Sequence, residues 1–481
     1  MQKPLPVFLG LGLSLIVALS PVAAQSQYHW SDQFGNKSTL LNGTVIGGVS
    51  DLGAVFYNPG RLAQLLRPGF LLTAEAFELN KVDVGAGEGD TNQIEQANLR
   101  GVPSLVAGMF TLPDLPGHRF AYSFLTRRRS DSDLFLTVEE QADLFPDYPG
   151  EELYIGSWES VSKLDENWVG FTWAYEISPR LSAGVSTFGT HLGRKRRIQL
   201  DTRALTSTGE AALLSRFREY RFQSYGFLWK AGLAADLAPF RLGLSVTTPE
   251  ITAFGSGSIR YEDIQTPVSS TGGVGPGNRV VIFRESGLKV TTHSPASVGA
   301  GLSWITPRTE LHLSGEWFSG VPEYRITGVD SIRSQSSGDF YEYQVVEELK
   351  PVLNLGAGLE WQVSDAFSAY GSLIRDASAA PNDPYLPFKF GSRVSNSTSG
   401  ADGFFVGAGV SLEAKWIDLT AGFTYGATSG QIENPLVSGA AEFGQPVFLP
   451  MELTVNTRRL RFLLGFTIPM VQEIPDEPVA R

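Results

Sequence analysis

Along most of this chain apolar residues alternate with small or polar ones, in segments of about 8 to 10 residues set apart by turn chemistry. Ile417, Leu419, Ala421, Phe423 and Tyr425 would share one face of such a segment, with Asp418, Thr420, Gly422 and Thr424 on the other. The same period of two runs through residues 169–175, 298–304, 311–317, 353–361, 404–412 and 460–468. Only an extended strand with two unlike faces has that period. Residues 177–180, 237–240, 306–308, 363–366 and 414–416 form short connections, several carrying Pro or Asp, which preset a turn. At the other ends the segments open into long polar stretches such as 376–402 and 427–451. Short turns at one end and long loops at the other fit an all-β, transmembrane antiparallel β-barrel, here of about 14 strands, running from near Gly69 to near Met470 with both chain ends on the periplasmic side.

Composition agrees with that architecture. Charged residues make up only 18% of the 481 residues, against about a quarter in a soluble globular protein. A soluble all-β sandwich also alternates, but it would turn its second face to water rather than fill it with Gly and Ser across so many strands. Trp304, Trp317, Trp361 and Trp416 fall near strand ends, where a membrane barrel carries its interfacial aromatics. A net charge of -12 argues against nucleic acid as a partner, because phosphate binding needs a basic face. Outer-membrane lipid is the expected surrounding and a monomer the expected state. The chain has no Cys, which removes disulfides and thiolate metal sites.

The first 24 residues read as a secretory signal: Lys3, an apolar run over 5–19, then Pro21-Val22-Ala23-Ala24. Beyond it no run of about 18 apolar residues could cross a bilayer as a helix. The expected division is a signal peptide over 1–24, an N-terminal hatch over 25–67, the barrel over 68–470 and a periplasmic tail over 471–481. The hatch is the stretch that breaks the strand pattern. It is Gly-rich and ends abruptly at Phe56-Tyr57-Asn58-Pro59-Gly60. A barrel of about 14 strands is too wide for its own side chains to fill, so a compact segment of this size is a candidate plug.

Residues 51–63, with Asn58-Pro59-Gly60, and the hairpin Ser294-Pro295-Ala296-Ser297-Val298-Gly299-Ala300-Gly301-Leu302-Ser303-Trp304 resemble the FadL-like outer-membrane transporters of long-chain fatty acids and aromatic hydrocarbons. The similarity spans the mature chain. Two departures stand out: Gly60 follows Pro59 directly where many members have Ala before Gly, and a polar tail runs past Phe466. The resemblance implies passive transport of a hydrophobic small molecule, with a pocket in the barrel, a hatch that shifts and a lateral opening into the bilayer. Phe56, Tyr57, Asn58, Pro59 and Gly60 are the expected gating residues. A scaffold for protein secretion, using loops such as 319–341, and a general porin are the alternatives.

Two basic clusters, Arg127-Arg128-Arg129 and Arg194-Lys195-Arg196-Arg197, are open to two readings: a solvated rim against lipid phosphate, or capture of a ligand carboxylate. No enzyme chemistry is apparent. The glycine run at 85–89 lacks a phosphate-binding Lys, no Gly-x-Ser-x-Gly elbow occurs, and the lumen carboxylates Glu316, Glu360 and Asp418 fall on separate strands. His29, His118, His191, His293 and His312 show no metal-ligand spacing, and His312 is expected as a hydrogen-bonded wall residue. No cofactor or metal is therefore expected.

Overall fold

The computed structural model describes residues 28–65, 69–85, 91–98, 102–145, 148–267, 278–381, 392–396, 402–437 and 451–469. The expected signal peptide, the tail at 471–481 and the glycine run at 86–89 lie outside the described residues. The alternating segments form strands β1 (Gly69–Gly85), β2 (Thr91–Asn98), β3 (Val102–Phe110), β4 (His118–Ala142), β5 (Glu152–Ser178), β6 (Leu181–Leu205), β7 (Ala211–Leu237), β8 (Phe240–Thr247), β9 (Ile251–Thr266) and β10 (Arg279–Lys289). They continue as β11 (Ser297–Ile305), β12 (Thr309–Phe318), β13 (Val321–Arg333), β14 (Phe340–Leu349), β15 (Val352–Ser364), β16 (Phe367–Asp376), β17 (Arg393–Ser395), β18 (Gly403–Glu413), β19 (Asp418–Glu433) and β20 (Glu452–Pro469).

Every neighbour pair around the main sheet is antiparallel, and β1 pairs with β20 from Gly69 opposite Pro469 to Gly85 opposite Thr454, closing the barrel. β2 with β3, β8 with β9, and β10 with β11 each make one interrupted staircase across the wall, so the barrel has 14 spans. Closure pairs the first strand with the last and so removes the free sheet edges that a bilayer does not tolerate. β13, β14 and β17 form a separate small sheet. The expected loop at 319–341 is therefore mostly strand: β13 pairs with β14, and β14 with β17 in parallel.

The alternation decides which side each residue takes. Leu353, Leu355, Leu359 and Trp361 of β15 are exposed on the outer face, and Asn354 is buried on the inner one. Trp304, Trp317 and Trp416 also face outward. On β5 the large exposed side chains Val169, Phe171, Trp173, Tyr175 and Ile177 crowd the half nearest the short turn. A tilted barrel strand needs about 9 to 11 residues to cross a bilayer, whereas β4 to β7 run 25 to 27 residues. Their far halves must therefore project beyond the apolar band, away from the short turns.

Residues 28–65 fill the lumen. This segment folds into two single-turn helices, α1 (Lys37–Leu40) and α2 (Ala54–Tyr57), followed by a 3-10 helix, Pro59–Gln64. Asp51 organises the first half: its carboxylate accepts from Ser38 N–H at 3.0 Å, Ser38 Oγ at 2.8 Å and Gly53 N–H at 2.8 Å. The segment buries Phe34, Leu40, Leu41, Val55 and Leu62 against wall residues such as Leu71, Ala107 and Phe188. Backbone meets backbone where the wall has no side chain. A Cβ at Gly232 would collide with Asn58 Oδ1, and one at Gly301 with the backbone N of Gly47. The small inner face is thus a seat for this plug. Gly232→Val should cost about 1 to 3 kcal/mol of stability, read as a lower thermal midpoint of the folded barrel in detergent, while the outward substitution Leu233→Val should leave it nearly unchanged.

Candidate functional site

Above the plug a cavity of about 90 Å³ is closed by Phe56, Trp168, Phe222, Phe318 and Leu349 together with Arg127, Arg128, Arg194, Lys230, Glu166, Glu250, Glu316 and Glu347. That is room for about three waters. Its lining mixes aromatic and charged side chains. It is lined by four cations and four carboxylates, of which Arg128 with Glu166 and Lys230 with Glu316 stand within ion-pair distance.

The floor is Phe56. Its ring lies 4.6 Å from Phe34 and 6.0 Å from Trp168, centroid to centroid, with the Arg127 guanidinium 5.3 Å and Lys230 Nζ 4.7 Å from its centre. Such cation–ring contacts hold charge where water is scarce. Arg127 also donates to the His29 carbonyl at 2.9 Å. Arg128 pairs with Glu166 at 2.5 Å, and Glu166 accepts from Trp168 Nε1 at 2.7 Å. Glu316 binds wall to plug: it accepts from Trp30 Nε1 at 2.8 Å and Ser297 Oγ at 2.7 Å, with Lys230 Nζ at 3.6 Å. The His29 ring stacks on Phe318 at 4.1 Å; burial above all, then Arg128 and Arg127, pushes its pKa well below the ordinary histidine value.

The five residues expected to gate the lumen take different positions. Phe56 lines the cavity, whereas Tyr57 turns into the plug, where its hydroxyl accepts from Phe34 N–H at 2.8 Å and donates to Gln33 Oε1 at 2.7 Å. Asn58 fixes the turn: Nδ2 donates to the Ile46 carbonyl at 3.0 Å and to the Leu233 carbonyl at 2.9 Å, and Oδ1 accepts from Gly60 N–H at 3.1 Å. Pro59 starts the 3-10 helix, and Ser182 Oγ donates to the Gly60 carbonyl at 2.8 Å. Of the basic clusters, Arg127, Arg128 and Arg194 reach the cavity. Arg196 is buried on the Ser395 carbonyl, and Arg129, Lys195 and Arg197 pair with Asp165, Glu219 and Glu159. Arg127, Arg194 and Arg196 are buried, the first against the N-terminal segment and the other two against β17 and the residue after it.

Next to this cavity the wall ladder is interrupted. β8 pairs with β11 up to Thr247 opposite Ser297, and β9 with β10 only from Ser256 opposite Lys289. Between them Thr248-Pro249-Glu250 and residues 290–296 are held by side chains. Thr252 Oγ1 donates to the Thr292 carbonyl at 2.7 Å, Glu250 N–H to Ser294 Oγ at 2.8 Å, and Thr292 Oγ1 to Glu250 Oε1 at 3.2 Å. Glu250, Thr292, His293, Ser294 and Pro295 all line the cavity. The sequence signal for this break was Pro249 and Pro295, since Pro cannot donate to a central ladder.

No protein-family model matches the chain, and no curated protein sequence does. Solved structures do. A Pseudomonas aeruginosa FadL homologue aligns over 92% of this chain and 99% of its own, with a TM-score of 0.57 at 12% identity. The P. putida toluene transporter TodX aligns over 92% and 100%, TM-score 0.57, 12% identity. The chain has the FadL-like barrel fold. The CymD monoaromatic hydrocarbon channel shares that fold over 92% of this chain and 99% of its own, with a TM-score of 0.52 at 13% identity. The FadL-like fold was the resemblance carried by residues 51–63, the stretch that forms α2 and the start of the 3-10 helix.

Proposed function

We propose that this chain is a bacterial outer-membrane channel for the passive movement of small hydrophobic molecules, with the lumen gated by its N-terminal plug and the exit directed sideways through the break beside Thr248-Pro249-Glu250. The observation that carries this reading is the meeting of three features at one place: a closed lumen, a small cavity floored by Phe56, and a wall interruption bridged only by side chains. An aqueous porin needs none of these. A hydrophobic solute gains about 25 cal/mol for each Å² it buries, so a protected step between outside and bilayer lowers its barrier. The toluene and monoaromatic channels named above have the same fold. The monoaromatic channels of the same fold favour a neutral ligand such as a monoaromatic hydrocarbon as the first to test.

Thr252 and Thr292 offer a direct test. Their hydroxyls lie 3.2 Å apart across the break, close enough for a disulfide after small side-chain adjustment, and the chain has no other Cys. The double variant Thr252→Cys, Thr292→Cys should take up labelled toluene at least about tenfold more slowly when oxidised and recover on reduction. Undiminished uptake with the crosslink verified by mass would refute the sideways exit.

A further inference from the structure

Below the plug, the register of β12 and β15 assembles a group that linear spacing concealed. Glu310 and His312 are two residues apart on the inner face of β12, and Glu310 stands opposite Glu360 of β15. A ring nitrogen of His312 and one carboxylate oxygen from each glutamate lie within 4.8 Å of one another. Spacing along the sequence does not show this grouping, because Glu360 comes to His312 from a neighbouring strand.

His312 is 1% exposed, its Nδ1 lies 2.8 Å from Ser303 Oγ, and its Nε2 meets no hydrogen-bond partner among the described residues. An unpaired polar atom at that depth costs stability unless something occupies it. With Nδ1–H donating to Ser303, Nε2 keeps a free lone pair, the tautomer a metal ligand needs. The carboxylates are oriented in the same manner. Arg241 Nη1 holds Glu310 at 3.0 Å, and Tyr370 OH donates to Glu360 at 3.1 Å. No basic side chain lies within ion-pair distance of Glu360 among the described residues.

We propose that Glu310, His312 and Glu360 bind a divalent transition-metal ion at the seam between barrel wall and plug. One imidazole with two carboxylates suits zinc or manganese better than calcium or magnesium, which prefer all-oxygen sites. Donors in a zinc site stand about 3.3 Å apart, given bonds near 2.0 Å, so rotamer adjustments of about an ångström would complete it. Arg241, which holds Glu310, also lines a vestibule of about 730 Å³. The plug rests on the same residues, since a Cβ at Gly48 would meet Glu310 Oε1 at 2.6 Å. Occupancy would stiffen the contact between the plug and the wall. The site depends on lumen geometry alone and stands whatever the barrel conducts.

The test uses the full chain in detergent, stripped with chelator, dialysed and titrated with zinc chloride by calorimetry. One zinc per chain is expected, with affinity weakened at least about tenfold in His312→Ala and in Glu360→Gln but retained in His118→Asn, which alters a half-buried histidine on another strand. Glu360→Gln keeps an acceptor for Tyr370 and serves if His312→Ala does not fold, as judged by heat-modifiable migration. Zinc should also slow hydrogen exchange over residues 44–48. Absence of stoichiometric binding, or equal binding in both ligand variants, would overturn the site.

Discussion

Removing residues 28–65 should turn a closed barrel into an ion-conducting pore. The segment occupies the lumen and contributes much of the lower core, including Phe34, Leu40, Val55 and Leu62. Barrels only slightly wider than 14 strands already enclose aqueous channels. Conductance in planar bilayers is expected to rise from near background by at least about tenfold, with free passage of small sugars in liposome swelling. If the deletion impairs folding, Asn58→Ala provides a milder version. It removes the hydrogen bonds to Ile46, Leu233 and Gly60 while leaving the apolar core residues of the segment in place, and should give intermittent openings. A deletion barrel that is folded yet impermeable would mean that something other than this segment seals the lumen.

Glu316→Ala should be among the most damaging single substitutions. Lys230 is 3% exposed, and Glu316 is the only carboxylate within ion-pair distance of it among the described residues. Truncation strands that ammonium and the Trp30 indole N–H together, and breaking a buried pair in this way costs about 3 to 5 kcal/mol. The thermal midpoint in detergent should fall accordingly. Joint replacement, Glu316→Leu with Lys230→Met, should recover most of the loss, because two apolar groups need no pairing. If the double variant is no more stable than Glu316→Ala, the cost comes from lost anchoring of Trp30 and Ser297 instead.

Much of the barrel is readable from one residue property, the two-residue period. Leu353, Leu355, Leu359 and Trp361 face outward because an alternating strand has only two sides, and Pro- or Asp-bearing turns such as 177–180 mark its ends. The plug is readable by contrast, since 42–63 breaks the period with glycines and stops at Asn58-Pro59-Gly60. What lies between strands is not readable. The seating of Asn58 on Gly232, or Glu310 beside Glu360, depends on register between residues far apart in sequence. The burial of part of the arginine clusters is unreadable for a related reason. β4 to β6 extend well past the apolar band, and β17 folds back over Arg194 and Arg196, which sequence position alone does not show. The wall interruption had a local sign in Pro249 and Pro295, but alternation on either side masked it.

The proposal that a hydrophobic molecule passes through this lumen is best tested by flux. The full chain reconstituted into liposomes, with labelled toluene outside and a trap inside, should give saturable uptake above protein-free vesicles. Replacing the cavity floor, Phe56→Asp, should lower that uptake at least about tenfold while the vesicles stay tight to sugars. Equal uptake with and without the barrel, or sugar leakage as fast as toluene entry, would contradict a gated hydrophobic channel and favour secretion-scaffold or porin function respectively.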